Sequence, residues 1–200
     1  MIEFNVLRDL VSGITLLDED NLTALYSCLQ QVEIITGDVA EVGVYKGGSA
    51  RFMMSALPSK HFWLFDTFRG LPYADEGCHA QGDFSVVPDS LPALLDEGKY
   101  TLIPGLFPTT IVGNDDLAST TFALVHLDVD CHQSVVDGLD FFWPKLNSGG
   151  MILIHDYGWF ACPGVKTAVD DFVATLETAT YTTEIVGSEG HTQYFILKKG

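Results

Sequence analysis

The pattern that most constrains the fold is a regular alternation between short, continuously apolar stretches and segments with helical spacing. The apolar stretches predict buried strands at 38–45, 61–66, 100–105, 121–130 and 150–156. Apolar residues three and four positions apart predict helices, and the segments with this character are 20–33, 49–57, 134–146 and 164–176. Strands that are apolar along their whole length are covered on both faces. This order therefore predicts an α/β protein with a doubly wound, mostly parallel sheet.

The C-terminal region departs from this alternation, because two strand-like stretches follow one another without a helix between them. Residues 182–187 and 192–199 therefore predict a C-terminal hairpin at an edge of the sheet. The chain has 200 residues, of which 47% are hydrophobic, and its sequence shows no internal repeat or linker. We therefore expect a single domain over residues 1–200.

One long segment, residues 72–98, interrupts the pattern with weak periodicity, three prolines and several Gly and Asp residues. Its last part, 91–98, has some helical character. Long connections of this kind are often functional, so we expect a lid or a substrate-binding excursion here.

The overall charge and composition argue against several classes of protein. The formal net charge of -17 disfavours nonspecific binding to nucleic acid or to an anionic membrane. No apolar run approaches the roughly 18 residues of a membrane helix, and the first residues lack the layout of a signal peptide. The four cysteines are scattered without a CxxC pair, which predicts free thiols and a cytoplasmic location: Cys28, Cys78, Cys131 and Cys162.

The ends of the first two strands indicate a nucleoside cofactor, because ligands of such folds bind at the carboxyl ends of the strands. The first strand runs into the glycine-rich turn EVGVYKGGS at 41–49. It is not a dinucleotide fingerprint, since Tyr45 occupies the place of the second glycine. The second strand ends in Asp66, a carboxylate that can accept the hydroxyls of a ribose, followed by Thr67. S-adenosylmethionine, a nucleoside without a pyrophosphate, fits both features.

The ends of two later strands carry ionisable residues. Asp128 and Asp130 end the strand at 121–130, and His155 and Asp156 end the strand at 150–156. Neighbouring parallel strands would bring Asp128 and Asp156 together, and two such carboxylates repel unless a cation or a proton intervenes. Oxygen ligands favour Mg²⁺ or Ca²⁺, and an added histidine would admit Mn²⁺ or other transition metals. Alternatively, these residues are turn and cap residues.

Taken together, six segments resemble those of the macrocin O-methyltransferase family in order and spacing, over about residues 35–175. The segments are GDVAEVGVYKGGSA, FDTFRGLP, VHLDVDCHQS, PKLNSGG, HDYG and GVKTAVDDF. The family consists of enzymes that depend on S-adenosylmethionine and a divalent metal and methylate hydroxyls on sugars or phenols of natural products. The resemblance implies a seven-stranded class I methyltransferase sheet, a small hydroxylated acceptor and a metal ion such as Mg²⁺.

The resemblance also assigns roles to individual residues. It implies that the methionine part of the cofactor is held by Glu41, Gly43, Tyr45, Gly47 and Ser49, and the ribose by Asp66 and Thr67. It implies a metal site of Asp128, His155 and Asp156, although the family usually has Asp-Asp-Tyr where this chain has His155-Asp156-Tyr157.

The residue that removes the proton of the acceptor stays open at this stage. Asp128 and His155 are the favoured catalytic residues, and the full set of candidates is Asp128, Asp130, His132, His155 and His191. Catechol methyltransferases have a lysine where this chain has Cys131. His126, inside an apolar strand, is interpreted as a core residue, and Trp159 and Phe160 could contact the acceptor.

Two alternatives to a methyltransferase also stay open. One is a cofactor-binding module with weakened or lost metal-dependent catalysis, and the other is a dinucleotide-dependent oxidoreductase. The identity of the acceptor and the oligomeric state, including a homo-oligomer, are not determined by the sequence.

Overall fold

A sheet of seven strands forms the centre of the computed structural model, which describes residues 1–75, 77, 79–187 and 191–200. The strands are β1 Asp38–Val42, β2 Phe62–Asp66, β3 Tyr100–Pro104, β4 Phe122–Leu127, β5 Leu146–Tyr157, β6 Tyr181–Val186 and β7 Gln193–Lys199. Their order across the sheet is β3-β2-β1-β4-β5-β7-β6. β1 to β5 run parallel and β7 is antiparallel to both of its neighbours, so the predicted parallel sheet with a terminal edge hairpin is confirmed.

Helices cover both faces of this sheet. They are α1 Phe4–Val11, α2 Glu19–Val32, α3 Gly48–Ala56, α4 Leu91–Leu94, α5 Asp115–Ser119, α6 His132–Phe142 and α7 Pro163–Ala174. One apolar core lies between the sheet and α1 to α3, where Leu25 and Phe52 are fully buried. The second core lies under α6 and α7, where Phe142 and Val165 are fully buried. No helix in the described part of the chain is both long and apolar enough to span a membrane.

Several predicted boundaries were wrong by a few residues. The predicted strand at 38–45 stops at Val42, and the one at 121–130 stops at Leu127. β1 stops where the backbone leaves the β region, because Gly43 has φ +93°. Asp130, at the end of the strand predicted at 121–130, also lies outside the β region, with φ +58°. The fifth strand begins at Leu146 rather than at 150. The short helices α1 and α5 were not predicted.

The excursion after β2 is partly helical, as predicted, with a 3₁₀ turn at Pro88–Ser90 that leads into α4. Its first part packs against the N-terminal ends of α6 and α7. The carboxylate of Asp75 accepts a hydrogen bond from the backbone N–H of His132, the first residue of α6. A Cβ on Gly77 would lie 2.2 Å from the carbonyl oxygen of Ala161. The backbone of the excursion therefore packs directly against the backbone that precedes α7. Cys78 lies outside the described residues.

Candidate active site

A cavity of about 270 Å³ opens at the carboxyl ends of β1, β2, β4 and β5. The glycine-rich turn after β1 and the end of β2 line one part of it. The residues after β4 and the end of β5 line another. The excursion after β2 adds Phe84, and Trp159 follows β5. The cavity therefore joins the strand ends at which the sequence predicted ligands.

The glycine-rich turn brings the ends of β1 and β4 into close contact. A Cβ on Gly43 would lie 1.8 Å from the carbonyl oxygen of Asp128, so only glycine fits at this position. Gly47, with φ +81°, precedes α3 as its N-cap. Gly43, Tyr45 and Ser49 line the cavity, as predicted for a cofactor turn.

Asp66 connects this turn to the end of β2. Its Oδ2 accepts hydrogen bonds from the backbone N–H groups of Val44, at 2.8 Å, and Tyr45, at 2.7 Å. Its Oδ1 accepts a third, from Phe68, at 2.7 Å. A carboxylate offers about four acceptor positions, so one remains for a ligand hydroxyl. Asp66 and Thr67 both line the cavity.

Glu41 lies below the cavity in a buried polar network rather than in its wall. Its Oε1 is 2.9 Å from Nδ1 of His126, and Nε2 of His126 is 2.8 Å from the hydroxyl of Tyr194. All three side chains are fully buried. Burial raises the pKa of Glu41, although the hydrogen bond from His126 opposes this. Both ring nitrogens of His126 have partners, so its prediction as a core histidine is confirmed.

The predicted trio of Asp128, His155 and Asp156 does come together. Each offers a ligand atom within 4.8 Å of the other two. Nδ1 of His155 lies 3.1 Å from Oδ1 of Asp128 and 3.1 Å from Oδ1 of Asp156. Burial disfavours the imidazolium, but the two carboxylates outweigh it and hold the pKa of His155 well above its usual value. The ring thus occupies a position between two anions that suits a cation.

Asp130 lies in the loop after β4, not in the strand that was predicted to extend to it. Burial, followed by repulsion from Asp128 and Asp156, raises the pKa of Asp130 to about 8. The thiol of Cys162 donates to its Oδ1 at 3.6 Å, and burial raises the pKa of that thiol far above its usual value. Asp130 lines the cavity.

Backbone strain is concentrated around this cavity. Among the residues that the structure describes, five non-glycine residues have positive φ, and four of them line the cavity: Tyr45, Phe84, Asp130 and Asp156. The fifth, Phe68, donates its N–H to Asp66. Such conformations cluster at functional sites, where the surrounding structure enforces them.

The other residues identified from the sequence lie at the margin of the cavity or outside it. His132 begins α6 and His191 is exposed, and neither lines the cavity. Trp159 lines the cavity, whereas the side chain of Phe160 is 71% exposed. Cys28, Cys131 and Cys162 are free thiols, as predicted, and all three are buried. His79, whose ring centroid lies 5.7 Å from that of Trp159, was not identified from the sequence. His79 lies in the excursion at 72–98, where no periodic pattern distinguishes a functional residue.

Comparison with known proteins agrees with the geometry of this site. The family model for macrocin O-methyltransferase (TylF) matches residues 10–187. The chain belongs to the macrocin O-methyltransferase family. The match extends beyond the residues 35–175 over which the resemblance was predicted. It confirms the prediction of an O-methyltransferase and disfavours the oxidoreductase.

Similar proteins of known activity are O-methyltransferases. One relative is the 8-demethyl-8-(2,3-dimethoxy-alpha-L-rhamnosyl)-tetracenomycin-C 4'-O-methyltransferase of Streptomyces olivaceus, 29% identical over 79% of this chain and 67% of the relative. Another is the demethyldecarbamoylnovobiocin O-methyltransferase of Streptomyces niveus, 28% identical over 82% of this chain and 70% of the relative. The structure of the O-methyltransferase NovP superposes with a TM-score of 0.73 at 24% identity and covers 94% of this chain and 83% of that chain, which supports the class I methyltransferase fold.

Proposed function

We propose that this enzyme transfers the methyl group of S-adenosylmethionine to a hydroxyl of a small natural product, a sugar or a phenol, with the help of a divalent metal. One observation carries the proposal. A single cavity has a glycine-rich turn and Asp66 at one part of its wall, and the trio of Asp128, His155 and Asp156 at another. Cofactor and acceptor would therefore meet between these two parts.

The cofactor half of the proposal is supported by the turn after β1. Gly43 and the positive φ of Tyr45 expose the backbone of this turn to the cavity, where Ser49 also lies. Asp66 holds the turn in place through two backbone N–H groups and keeps an acceptor position for a ribose hydroxyl. Gly47 and Glu41 lie outside the cavity wall, Gly47 as the N-cap of α3 and Glu41 paired with His126.

The metal half is supported by the donor set of the trio. Two carboxylates and an imidazole lie within 4.8 Å of one another. Nε2 of His155 is buried without a hydrogen-bond partner among the described residues. Buried polar atoms in proteins are rarely left unpaired, so the trio fits a divalent ion. A bound metal would orient the acceptor hydroxyl and lower its pKa.

The protein residues then have three tasks in an in-line displacement. The strand ends align the acceptor oxygen with the methyl group and sulfur, which removes much of the entropic cost of the reaction. The excursion at 72–98, proposed as a lid, excludes water. Asp130 accepts the proton, because it lines the cavity close to Asp128 and Asp156, where the acceptor hydroxyl would lie. Asp128 and His155 are proposed to act in catalysis as metal ligands.

Calorimetric titration and a methyl-transfer assay of Asp156→Asn would test this proposal. We expect the wild type to bind S-adenosylmethionine. The variant should lose metal-dependent turnover by at least about 100-fold, because it removes one charged ligand of the metal that activates the acceptor. Its affinity for S-adenosylmethionine should stay within a few-fold.

The matched control is Asp116→Asn, because Asp116 is an exposed acid in the first turn of α5. It should leave turnover and binding unchanged. No binding of S-adenosylmethionine by the wild type at any magnesium concentration would contradict the proposed function. A collapse of cofactor affinity in Asp156→Asn would contradict the role given to Asp156.

A further inference from the structure

A second group of potential metal ligands lies beside the proposed metal trio. His79, Asp130 and Cys162 each offer a ligand atom, and the three atoms lie within 4.8 Å of one another. They come from three separate parts of the chain: the excursion after β2, the loop after β4 and the residue that precedes α7. Only the packing of the excursion against α6 and α7 brings the three together.

The imidazole of His79 is held in place but lacks a polar partner at one nitrogen. Its ring packs edge-on against Phe84, with centroids 5.0 Å apart, and tilted against Trp159. Nε2 is buried and has no hydrogen-bond partner within the part of the chain that the structure describes. Nδ1 is 3.9 Å from Oδ2 of Asp83, which leaves Nε2 as the available ligand atom.

The charge around Asp130 also favours a cation. Asp130 lies close to the carboxylates of Asp128 and Asp156, so negative charge is concentrated around it. His155 lies between those two carboxylates and is within ion-pair distance of both. Across the described ranges, Asp130 itself has no Lys, Arg or His within ion-pair distance. A metal ion beside it would supply that charge.

We propose that His79, Asp130 and Cys162 form a second metal site that selects Zn²⁺ or a similar thiolate-binding divalent ion. A nitrogen, an oxygen and a sulfur ligand are typical of zinc, whereas Mg²⁺ prefers oxygen ligands alone. Zinc bonds of about 2.0–2.3 Å require ligand atoms closer together than 4.8 Å. Sγ of Cys162 and Oδ1 of Asp130 are already 3.6 Å apart, so mainly His79 has to approach.

Zinc at this site would have two consequences. It would connect the excursion to the loop after β4 and to the start of α7, and so hold the excursion over the cavity. It would also occupy Asp130 and thus inhibit methyl transfer. The inhibition rests on the proposed function, because Asp130 is the base there, but the metal binding does not.

A titration of the metal-free protein with Co²⁺, a coloured substitute for Zn²⁺, would test the site. Saturating Mg²⁺ is present throughout to occupy the trio, and neither S-adenosylmethionine nor acceptor is added. We expect a thiolate-to-cobalt charge-transfer band in the near ultraviolet, which added Zn²⁺ abolishes. The trio has no sulfur ligand and therefore does not produce this band.

Single cysteine substitutions would show which thiol binds the metal. Cys162→Ser should remove the band, whereas Cys131→Ser should keep it, because Cys131 is also buried but lies outside the cluster. His79→Gln should weaken Co²⁺ binding by about 10-fold or more, since it removes one of three protein ligands. His79→Gln therefore also tests the second metal site if Cys162→Ser does not fold.

Absence of the band in the wild type, or an unchanged band in Cys162→Ser, would overturn the proposal. Unchanged Co²⁺ affinity in His79→Gln would overturn it as well. Because the titration involves no methyl transfer, its failure would leave the proposed function untouched. A protein that binds Co²⁺ through Cys162 but not S-adenosylmethionine would retain the second site and lose only the proposed function.

Discussion

At the scale of single residues, His155 is the most informative departure from the pattern that the family resemblance implies. It stands where the resemblance predicted a metal-binding aspartate, and the structure keeps it among Asp128 and Asp156. Replacing a carboxylate by an imidazole changes the ligand set from all oxygen to oxygen and nitrogen. Nitrogen ligands suit Mn²⁺ and other transition metals better than they suit Mg²⁺. The metal preference of the proposed site should therefore depend on this residue.

We predict that His155→Asp shifts metal preference toward Mg²⁺. The ratio of turnover with Mn²⁺ to turnover with Mg²⁺ should fall by about 10-fold relative to the wild type, because an oxygen ligand replaces the nitrogen ligand. Methyl-transfer rates over a range of each metal would measure the ratio. His61→Asp is the control. His61 immediately precedes β2, at the amino ends of the strands and away from the cavity, and its ring is hydrogen-bonded to Thr101. An unchanged ratio in His155→Asp would show that His155 does not bind the metal.

At the scale of secondary-structure elements, the contact between the ends of β1 and β4 shapes the site. The backbone N–H of Asp128 donates to the carbonyl of Val42 at 3.0 Å, and that of Gly43 donates to Phe65 at 2.9 Å. These bonds place the glycine-rich turn directly against Asp128, the first residue of the proposed metal trio. The absence of a side chain on Gly43 makes this approach feasible.

We predict that Gly43→Ala destabilises the protein by about 3–5 kcal/mol, within the range of the most severe single substitutions. Its Cβ would overlap the carbonyl oxygen of Asp128 at 1.8 Å, and its φ of +93° adds strain. Gly13→Ala is the matched control, because Gly13 also has a positive φ, +73°, but nothing lies within 4 Å of the added Cβ. The control should cost about 1–2 kcal/mol. Urea denaturation would measure both, and equal losses would contradict the steric argument.

The packing of the elements also explains which parts of the site were predictable. Strand ends, the glycine-rich turn and the trio follow from local sequence and from the rule that parallel strands end at one edge. The three backbone bonds to Asp66 and the position of Glu41 below the cavity were not predictable. They depend on how the turn folds back onto β2 and on the pairing of Glu41 with His126, 85 positions away.

At the scale of the whole molecule, the formal net charge of -17 is the dominant electrostatic property. Like charges distributed over a compact protein repel one another and lower its stability. Some of this repulsion is concentrated in the cavity, where Asp128, Asp130 and Asp156 face one another. Added salt screens the exposed charges much more than the buried ones.

We predict that the Tm rises by about 2–4 °C when KCl increases from roughly 10 to 200 mM, because the screening length shortens over this range. Differential scanning calorimetry in the presence of a chelator would measure the effect without bound divalent ions. The same series near pH 5, where carboxylates begin to take up protons, is the control and should show a smaller rise. A Tm that is constant or falls with salt at neutral pH would contradict this account.

The sequence alone determined the order of strands and helices, the terminal hairpin and the polar residues at the strand ends. These features are encoded locally, in apolar periodicity and in glycine and acidic residues at fixed positions. Only the tertiary structure decided that Asp130 leaves the strand and meets His79 and Cys162. That meeting joins residues 51 and 32 positions away from Asp130, through a loop with no periodic pattern. Contacts of this kind arise from the packing of the excursion on α6 and α7, which no local pattern specifies.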